Sequence, residues 1–165
     1  MLNSENPSIR KQPAKTIIDF LHWYRTDQTI NTFELVDNTD NTPFDSTRFY
    51  AVNFTETEKY LGALKATGFV SEKYRDHWRA YFKTCTQALR KNPANDGPPE
   101  GFEYDFIMLS QDYEDDLKDL DQAKVLIQFV FEKRAYIKIR FPHGNILTYE
   151  LSRTGNRWEI DRIFR

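Results

Sequence analysis

The chemistry that this chain could support depends on acidic and phenolic side chains near the ends of its predicted helices and strands. An aspartate and a tyrosine that share a desolvated pocket can exchange protons with a bound molecule. Helices packed on a bent antiparallel sheet leave such a pocket, lined by aromatic rings and a few polar groups. The candidate lining residues are Trp23, Tyr24, Asp105, Gln111, Asp112, Tyr149, Trp158 and Asp161. The sequence assigns a catalytic role to none of them.

Histidine and cysteine, which commonly bind zinc or act as nucleophiles, are few and scattered. His22, His77 and His143 lie on separate predicted elements, and none has a second ligand four residues away. Cys85 is the single cysteine and falls within the apolar stripe of a predicted helix, where a cysteine is usually a small buried hydrophobe. The acidic run 112–121 lacks the glycine-containing pattern of a calcium loop. We therefore predict no metal site and no cofactor.

The charge pattern argues against nucleic acid as a partner. The net charge is −2, and ten acidic residues stand against one lysine between positions 93 and 123. The basic residues are concentrated in 124–165, so the acidic segment partly neutralises them and the chain lacks the strongly basic balance of nucleic-acid-binding domains. No apolar run reaches the roughly 18 residues that a membrane-spanning helix needs, and no membrane span is predicted.

The C-terminal part of the chain predicts four antiparallel strands joined by short turns. The predicted strands are 124–131, 135–141, 146–152 and 157–164. Apolar and polar residues alternate with a period of two in the second and third strands. In the fourth strand the alternation fails after Ile160, and a β-bulge near Asp161 and Arg162 would restore it. The first strand is apolar on both faces, which predicts that both of its faces are covered.

The N-terminal part of the domain begins with a predicted amphipathic helix. Proline suits the first turn of a helix, so Pro13 predicts a helix over 13–26. Residues 1–12 are polar and are predicted to form a flexible segment outside a single domain of 13–165. A short extra strand is predicted near 48–53.

Two further helices are predicted in the middle of the chain. Thr55 and Glu58 have the spacing of a capping box, and the helix that they begin is predicted to stop at Gly68. Ser71 is predicted to cap the next helix, whose apolar stripe ends before Asn92.

Two shorter segments complete the prediction. Residues 38–43 have the composition of a turn. Asp105 is predicted to cap a short helix over 106–113, since aspartate is a favoured N-cap residue.

Three segments together resemble a known family. They are Phe20-x-x-Trp23-Tyr24, Asp105-Phe106-x-x-x-x-Gln111-Asp112-Tyr113 and Trp158-Glu159-Ile160-Asp161-x-Ile163. In this order, and with a proline-rich loop before the second, they resemble an uncharacterised bacterial family, domain of unknown function 3828, whose members resemble the nuclear-transport-factor-2-like (cystatin-like) cone fold. The resemblance covers most of 13–165 and implies helices over a strongly curved four-stranded antiparallel meander sheet, and frequent export. The family has no established reaction, so the resemblance implies no catalytic residue.

These observations predict an α+β fold and three hypotheses about function. The first is a non-enzymatic binding or interaction module of the bacterial cell envelope, which binds a protein or small molecule in a cone-shaped pocket or forms a homodimer through the sheet. The second is a small cone-fold enzyme of the isomerase or dehydratase type that uses an Asp/Tyr pair. The third is an inhibitor or immunity-type protein that presents the acidic loop 112–121 to a basic partner.

The expected location depends on the start of the chain. Residues 1–5 lack the basic-then-apolar pattern of an export signal. A periplasmic or secreted protein would therefore require that a signal peptide was removed. Without such a signal we expect a cytoplasmic protein.

Overall fold

The computed structural model describes residues 7–37 and 49–165 of the chain. The helices are α1 (Pro7–Thr26), α2 (Phe54–Ala66), α3 (Glu72–Lys91) and α4 (Glu114–Lys118). The strands are β1 (Lys124–Phe131), β2 (Arg134–Arg140), β3 (Ile146–Thr154) and β4 (Arg157–Phe164). They form one sheet with the order β1-β2-β3-β4, and each neighbouring pair is antiparallel. The predicted α+β class and four-stranded meander are confirmed.

The sheet contains the bulge that the sequence predicts in its last strand. The register between β3 and β4 skips Asp161, because Ile160 and Arg162 lie opposite consecutive residues of β3. An extra residue shifts the alternation of faces by one step. This shift explains why Ile160 and Ile163 are both buried although they are three residues apart.

The first strand departs most from its prediction. β1 lies at an edge of the sheet, and its side chains are exposed along nearly its whole length. The prediction that both faces of β1 are covered is therefore wrong. The reason is the position of the helices, since α1 packs on β2 and β4, and α3 packs on β4. The helix layer is centred away from β1.

The opposite edge of the sheet is covered by the connection between α2 and α3. The Ile160 N–H donates to the Phe69 carbonyl at 2.7 Å, and the Ser71 N–H donates to the Ile160 carbonyl at 2.9 Å. Val70, which lies between Phe69 and Ser71, forms a parallel bridge with Ile160 and is fully buried. A short extended segment thus completes the edge of β4.

The first helix begins earlier than predicted. It starts at Pro7 and not at Pro13, so residues 7–12 of the predicted flexible segment are helical. Both prolines suit a helix start, because the first helical residue has no intrahelical use for its N–H. The sequence pattern does not separate them, and the apolar stripe that begins after Pro13 favoured the wrong one.

The second helix begins with a different cap from the predicted one. The side chain of Asn53 accepts a hydrogen bond from the Glu56 N–H at 3.1 Å, so Asn53 is the N-cap. The predicted capping box of Thr55 and Glu58 is wrong. Glu58 instead accepts hydrogen bonds from the Arg79 guanidinium at 2.7 and 2.9 Å, which ties α2 to α3.

The third helix agrees with its prediction at both ends. Ser71 Oγ accepts a hydrogen bond from the Tyr74 N–H at 3.3 Å, and the helix ends at Lys91. Gly68, the predicted end of α2, lies two residues after that helix and has a φ of 78°. Glycine adopts such left-handed backbone angles without the steric cost of a Cβ atom.

The remaining predicted strand, near 48–53, is reduced to a single bridge. Val52 pairs with Val36, and no longer ladder forms there among the described residues. Position 48 and the predicted turn at 38–43 lie outside the described residues.

Aromatic rings fill much of the space between the helices and the sheet. The ring of Trp78 lies 4.9 Å from that of Phe106, and Phe82 stacks on Phe102 at 5.9 Å. Cys85 follows on the same face of α3 and is buried, and burial raises the pKa of its thiol. The cysteine is thus a small core residue, as its place in the apolar stripe predicts.

Candidate functional site

Two of the predicted pocket residues, Tyr24 and Asp105, are in direct contact. The Tyr24 hydroxyl donates a hydrogen bond to a carboxylate oxygen of Asp105. The side-chain amide of Asn31 donates to the Tyr24 hydroxyl oxygen at 3.1 Å. The ring of Trp23, another predicted pocket residue, lies 6.5 Å from the Tyr24 ring. The Tyr113 ring stacks on the Tyr24 ring at 6.2 Å. These contacts fix the end of α1 against the loop that carries Asp105.

Asp105 organises its own loop as well as binding Tyr24. Its Oδ1 accepts the N–H groups of Ile107 at 3.0 Å and Met108 at 2.5 Å. The chain then turns back at Leu109, which has a φ of 51° and donates its N–H to the Asp105 carbonyl at 2.8 Å. A helix over 106–113 is therefore absent, and that prediction is wrong. In a helix cap and in a tight turn, an aspartate side chain accepts hydrogen bonds from the same backbone N–H groups two and three residues later. An aspartate therefore favours either structure.

The environment of Asp105 determines what it can do chemically. Burial raises the pKa of its carboxyl, and burial together with Asp105 raises the pKa of Tyr24. Raised pKa values are typical of catalytic carboxyl groups. However, the carboxylate of Asp105 already accepts three hydrogen bonds from the chain itself. This geometry favours a structural role for the pair.

An open cleft of about 420 Å³ lies beside the Tyr24 ring. Its walls include Asn31, Tyr113 and Leu117, with Arg25 among the charged residues at its edge. Asp105 is not among the residues that line it. The cleft thus borders Tyr24 but does not reach the Asp105 carboxyl, whose pKa is raised.

Tyr149 and Trp158 lie in the core and do not line a pocket. Both side chains are almost fully buried, on the inner face of β3 and β4. The Tyr149 hydroxyl and Trp158 Nε1 have no hydrogen-bond partner among the described residues, and neither has the Tyr74 hydroxyl. Burial raises the pKa of both tyrosines. A buried polar group without a partner costs about 1–3 kcal/mol, which offsets part of the stabilisation that these buried rings contribute to the core.

Of the other predicted pocket residues, two lie at the surface and Asp161 is partly buried. Gln111 and Asp112 are exposed in the loop that precedes α4. Asp161, at the bulge of β4, accepts a hydrogen bond from Ser152 Oγ at 2.9 Å and lies 3.7 Å from Lys73 Nζ. The structure thus brings Trp23, Tyr24 and Asp105 together and places the rest elsewhere.

The acidic segment before β1 is held by the turn between β2 and β3. Asp116 is buried and accepts the His143 N–H at 2.7 Å, and Asp119 lies 2.8 Å from His143 Nε2. The hydrogen bond to Asp119 raises the pKa of His143. Two of the acids that a basic partner would contact are therefore engaged within the chain.

No group of three histidine, cysteine, aspartate or glutamate side chains converges on one point in 7–37 or 49–165. A search of the same residues for a helix both long and apolar enough to cross a bilayer finds none.

The outer face of the sheet near β1 is the feature that the sequence prediction missed. In the register with β2, Phe129 lies opposite Tyr136 and Ile127 opposite Lys138, and directly opposed residues share a face. These positions alternate with the buried residues of β2, so they lie on the side away from the helices. Phe129 is 68% exposed and Phe131, on the same face, is 74% exposed.

These side chains form one continuous surface, which we name the β1 patch. The Tyr136 ring lies 6.4 Å from the Phe129 ring and extends the apolar area onto β2. The β1 patch consists of Ile127, Phe129, Phe131 and Tyr136. Contiguous exposed apolar surface of this kind is typical of binding sites. The sequence feature that could have predicted this surface is that residues 125–131 contain no charged residue and no proline.

The outer edge of β1 adds backbone groups to this surface. No segment of 7–37 or 49–165 pairs with the side of β1 that faces away from β2. Natural proteins usually protect such an edge with charges, prolines or bulges. β1 has only an irregularity between Val125 and Ile127. These features are known from this chain alone, since no family model, no curated protein and no solved structure matches it.

Proposed function

We propose that the protein is an interaction module that pairs with a second copy of itself through β1. The observation that supports this most directly is the exposure of β1 at the edge of the sheet, with Phe129 and Phe131 mostly in solvent. A strand added to an open edge satisfies the backbone N–H and carbonyl groups and covers the side chains beside it.

The charges at the two ends of β1 favour a second copy as the occupant. In a pair of antiparallel β1 strands centred on Gln128, Lys124 at the start of one strand lies near Glu132, which follows the last residue of β1 in the second copy, and the same contact occurs at the other end. Apart from Gln128 at the centre, the positions between them are apolar, and Ile127 meets Phe129 of the second copy. Opposite charges directly across a ladder contribute about 0.2–1 kcal/mol, and this pair, at the margin of the ladder, favours the register by at most that amount.

We further propose that the fold is a cone of the nuclear-transport-factor-2-like type and that the module works in the bacterial cell envelope. The resemblance described from the sequence supports both statements. The helices on one face of the meander, and irregularities in both β1 and β4, fit a sheet that bends around its helices.

Sedimentation velocity tests the pairing through Phe129. We expect the wild type to dimerise as its concentration rises, and Phe129→Lys to remain monomeric because a charge would lie in the paired surface. Phe54→Lys is the matched control, since Phe54 is also exposed, at 44%, but begins α2. A wild type that stays monomeric at the highest attainable concentration would contradict the proposal, and so would equal loss of dimer in both variants.

Charge exchange tests whether the occupant is a second copy in the proposed register. Lys124→Glu and Glu132→Lys should each weaken the dimer, because each places like charges opposite one another. The double variant should recover the dimer, since the opposite charges are restored with reversed polarity. Failure of the double variant to recover would exclude this register.

The contact between Tyr24 and Asp105 supports a second candidate, the small enzyme of the isomerase or dehydratase type. The observation in its favour is a buried carboxyl of raised pKa beside a phenol. Nuclear magnetic resonance titration of the Asp105 carboxyl carbon tests it. A pKa in the ordinary range of about 3.5–4 would remove the basis of this candidate.

A further inference from the structure

A cleft of about 430 Å³ opens between α3, the loop around Tyr104 and the end of β4. Its walls are largely aromatic, with Trp78 and Tyr81 from α3 and Phe164 from β4. Sites for small ligands usually enclose about 300–1,000 Å³ and have mostly apolar walls with a few polar groups. This cleft has the size and the wall composition of such a site.

The charged residues of the cleft are all basic. Arg162 and Arg165 line it, and no aspartate or glutamate does. His77 is the third nitrogen-bearing side chain, and burial together with Arg162 lowers its pKa, so it is neutral near pH 7. None of the ion pairs formed by the described residues includes Arg162. Arg162 therefore forms no ion pair among the described residues, and the carboxylate placed opposite it in the sheet register is that of Glu150.

Arg162 is positioned by an aromatic ring and not by an acid. Its guanidinium carbon lies 5.0 Å from the centre of the Phe164 ring. A guanidinium stacked on a ring keeps the N–H groups at its edge available, and two of them can bind both oxygens of one carboxylate. The stacked arrangement is thus suited to a planar anion.

The opposite wall is fixed by hydrogen bonds among its own residues. The Tyr81 hydroxyl donates to the Gly101 carbonyl at 2.7 Å and lies 2.8 Å from the Tyr104 hydroxyl. The Trp78 ring packs edge-on against the Tyr81 ring at 5.2 Å. Rings that are already held in place lose little conformational entropy when a ligand binds.

We infer that this cleft binds a small organic anion in which a carboxylate is joined to a flat aromatic body. The aromatic body lies against Trp78 and Tyr104, and the carboxylate accepts hydrogen bonds from Arg162. No residue of the β1 patch lines the cleft, but the Phe164 ring of the cleft lies 6.4 Å from the Tyr136 ring of the patch.

Isothermal titration calorimetry with indole-3-acetate tests the inference. Indole-3-acetamide has the same ring without the charge, and acetate has the charge without the ring. We expect indole-3-acetate to bind at least about tenfold more tightly than either analogue, because both the charge-assisted hydrogen bonds and the stacking are needed. No binding of indole-3-acetate, or equal binding of its amide, would overturn the inference.

A matched pair of arginine variants locates the binding site. Arg162→Gln should weaken indole-3-acetate by about tenfold or more, since it removes the charge that the carboxylate meets. Arg134→Gln is the control, because Arg134 is an exposed arginine that does not line the cleft, and it should leave the affinity unchanged. Circular dichroism confirms that both variants fold. Equal affinity in wild type and Arg162→Gln would place any binding elsewhere and contradict the assignment.

Discussion

The two edges of the sheet end in opposite ways. At β4 the backbone of Ile160 is hydrogen-bonded to the segment Phe69–Ser71, and Val70 is fully buried beneath it. At β1 no described segment pairs with the outer side of the strand, and Phe129 and Phe131 are mostly in solvent. The β4 edge is completed within the chain, whereas no segment of 7–37 or 49–165 completes the β1 edge.

The composition of the strands does not explain this difference. β1 is the more apolar of the two, with a single polar residue, Gln128, between Val125 and Phe131. Full burial of a phenylalanine side chain contributes about 1.5–3 kcal/mol. Covering Phe129 and Phe131 with a partner would therefore stabilise the resulting complex. The comparison teaches that β4 contributes mainly to folding, whereas β1 is available for association.

The same substitution at the two edges should break this comparison most clearly. Ile160→Ala should lower the free energy of unfolding by about 3 kcal/mol, because it leaves a cavity in a packed core. Ile127→Ala should lower it by less than about 1 kcal/mol, because Ile127 is already 39% exposed. Urea unfolding at low protein concentration, where paired copies separate, measures both. Equal losses would show that β1 is as much a part of the core as β4.

A pair of tyrosine variants sharpens the comparison on the closed side. Tyr24→Phe should destabilise the protein by about 1–2 kcal/mol, since it leaves the buried carboxylate of Asp105 without its hydroxyl donor. Tyr149→Phe removes a hydroxyl that has no partner among the described residues, so it should be neutral or stabilise by up to about 1 kcal/mol. Thermal unfolding distinguishes the two. A clear loss in Tyr149→Phe would reveal a hydrogen bond at that hydroxyl.

The smallest expected effect concerns the segment that leads into β1. The pKa of His143 is raised by Asp119 and, more weakly, by Asp115 and Asp116, so protonation of His143 favours the folded state. This contribution is fully present below the unfolded pKa of about 6.5, and it is lost as the pH rises through the raised folded value. His143→Gln should flatten the pH dependence of thermal unfolding in this range. An unchanged profile would show that the pair with Asp119 does not affect stability.

Local patterns predicted most of the sheet and the third helix. β1 and β4 have their predicted bounds, and the failed alternation after Ile160 identified the bulge. Ser71 was identified as a cap because its side chain acts on residues next to it in sequence. In each of these cases the deciding interaction is short-range or follows directly from the alternation of side chains.

The failures involve interactions between distant parts of the chain. An apolar strand is usually covered, but its sequence does not show whether the same chain provides that cover. For this reason the prediction that both faces of β1 are covered was wrong. The contact between Tyr24 and Asp105 joins residues 81 positions apart, so the spacing of neither residue predicts it. The remaining candidates, such as Gln111 and Asp112, were selected by their chemical type and their order along the chain. Neither property determines whether side chains meet in the folded structure.

The bulge at Asp161 makes β4 tolerant of a change that normally disrupts a strand. Deleting one residue from a regular strand turns every later side chain to the wrong face. In β4, removal of Asp161 would leave Ile160 directly followed by Arg162, which already have opposite orientations, and Ile163 would still point inward. A chain one residue shorter should therefore keep its core and straighten the strand, moving Arg162 and Phe164 relative to α3. The length of β4 can thus vary by one residue, and what changes is the shape of the cleft beside it.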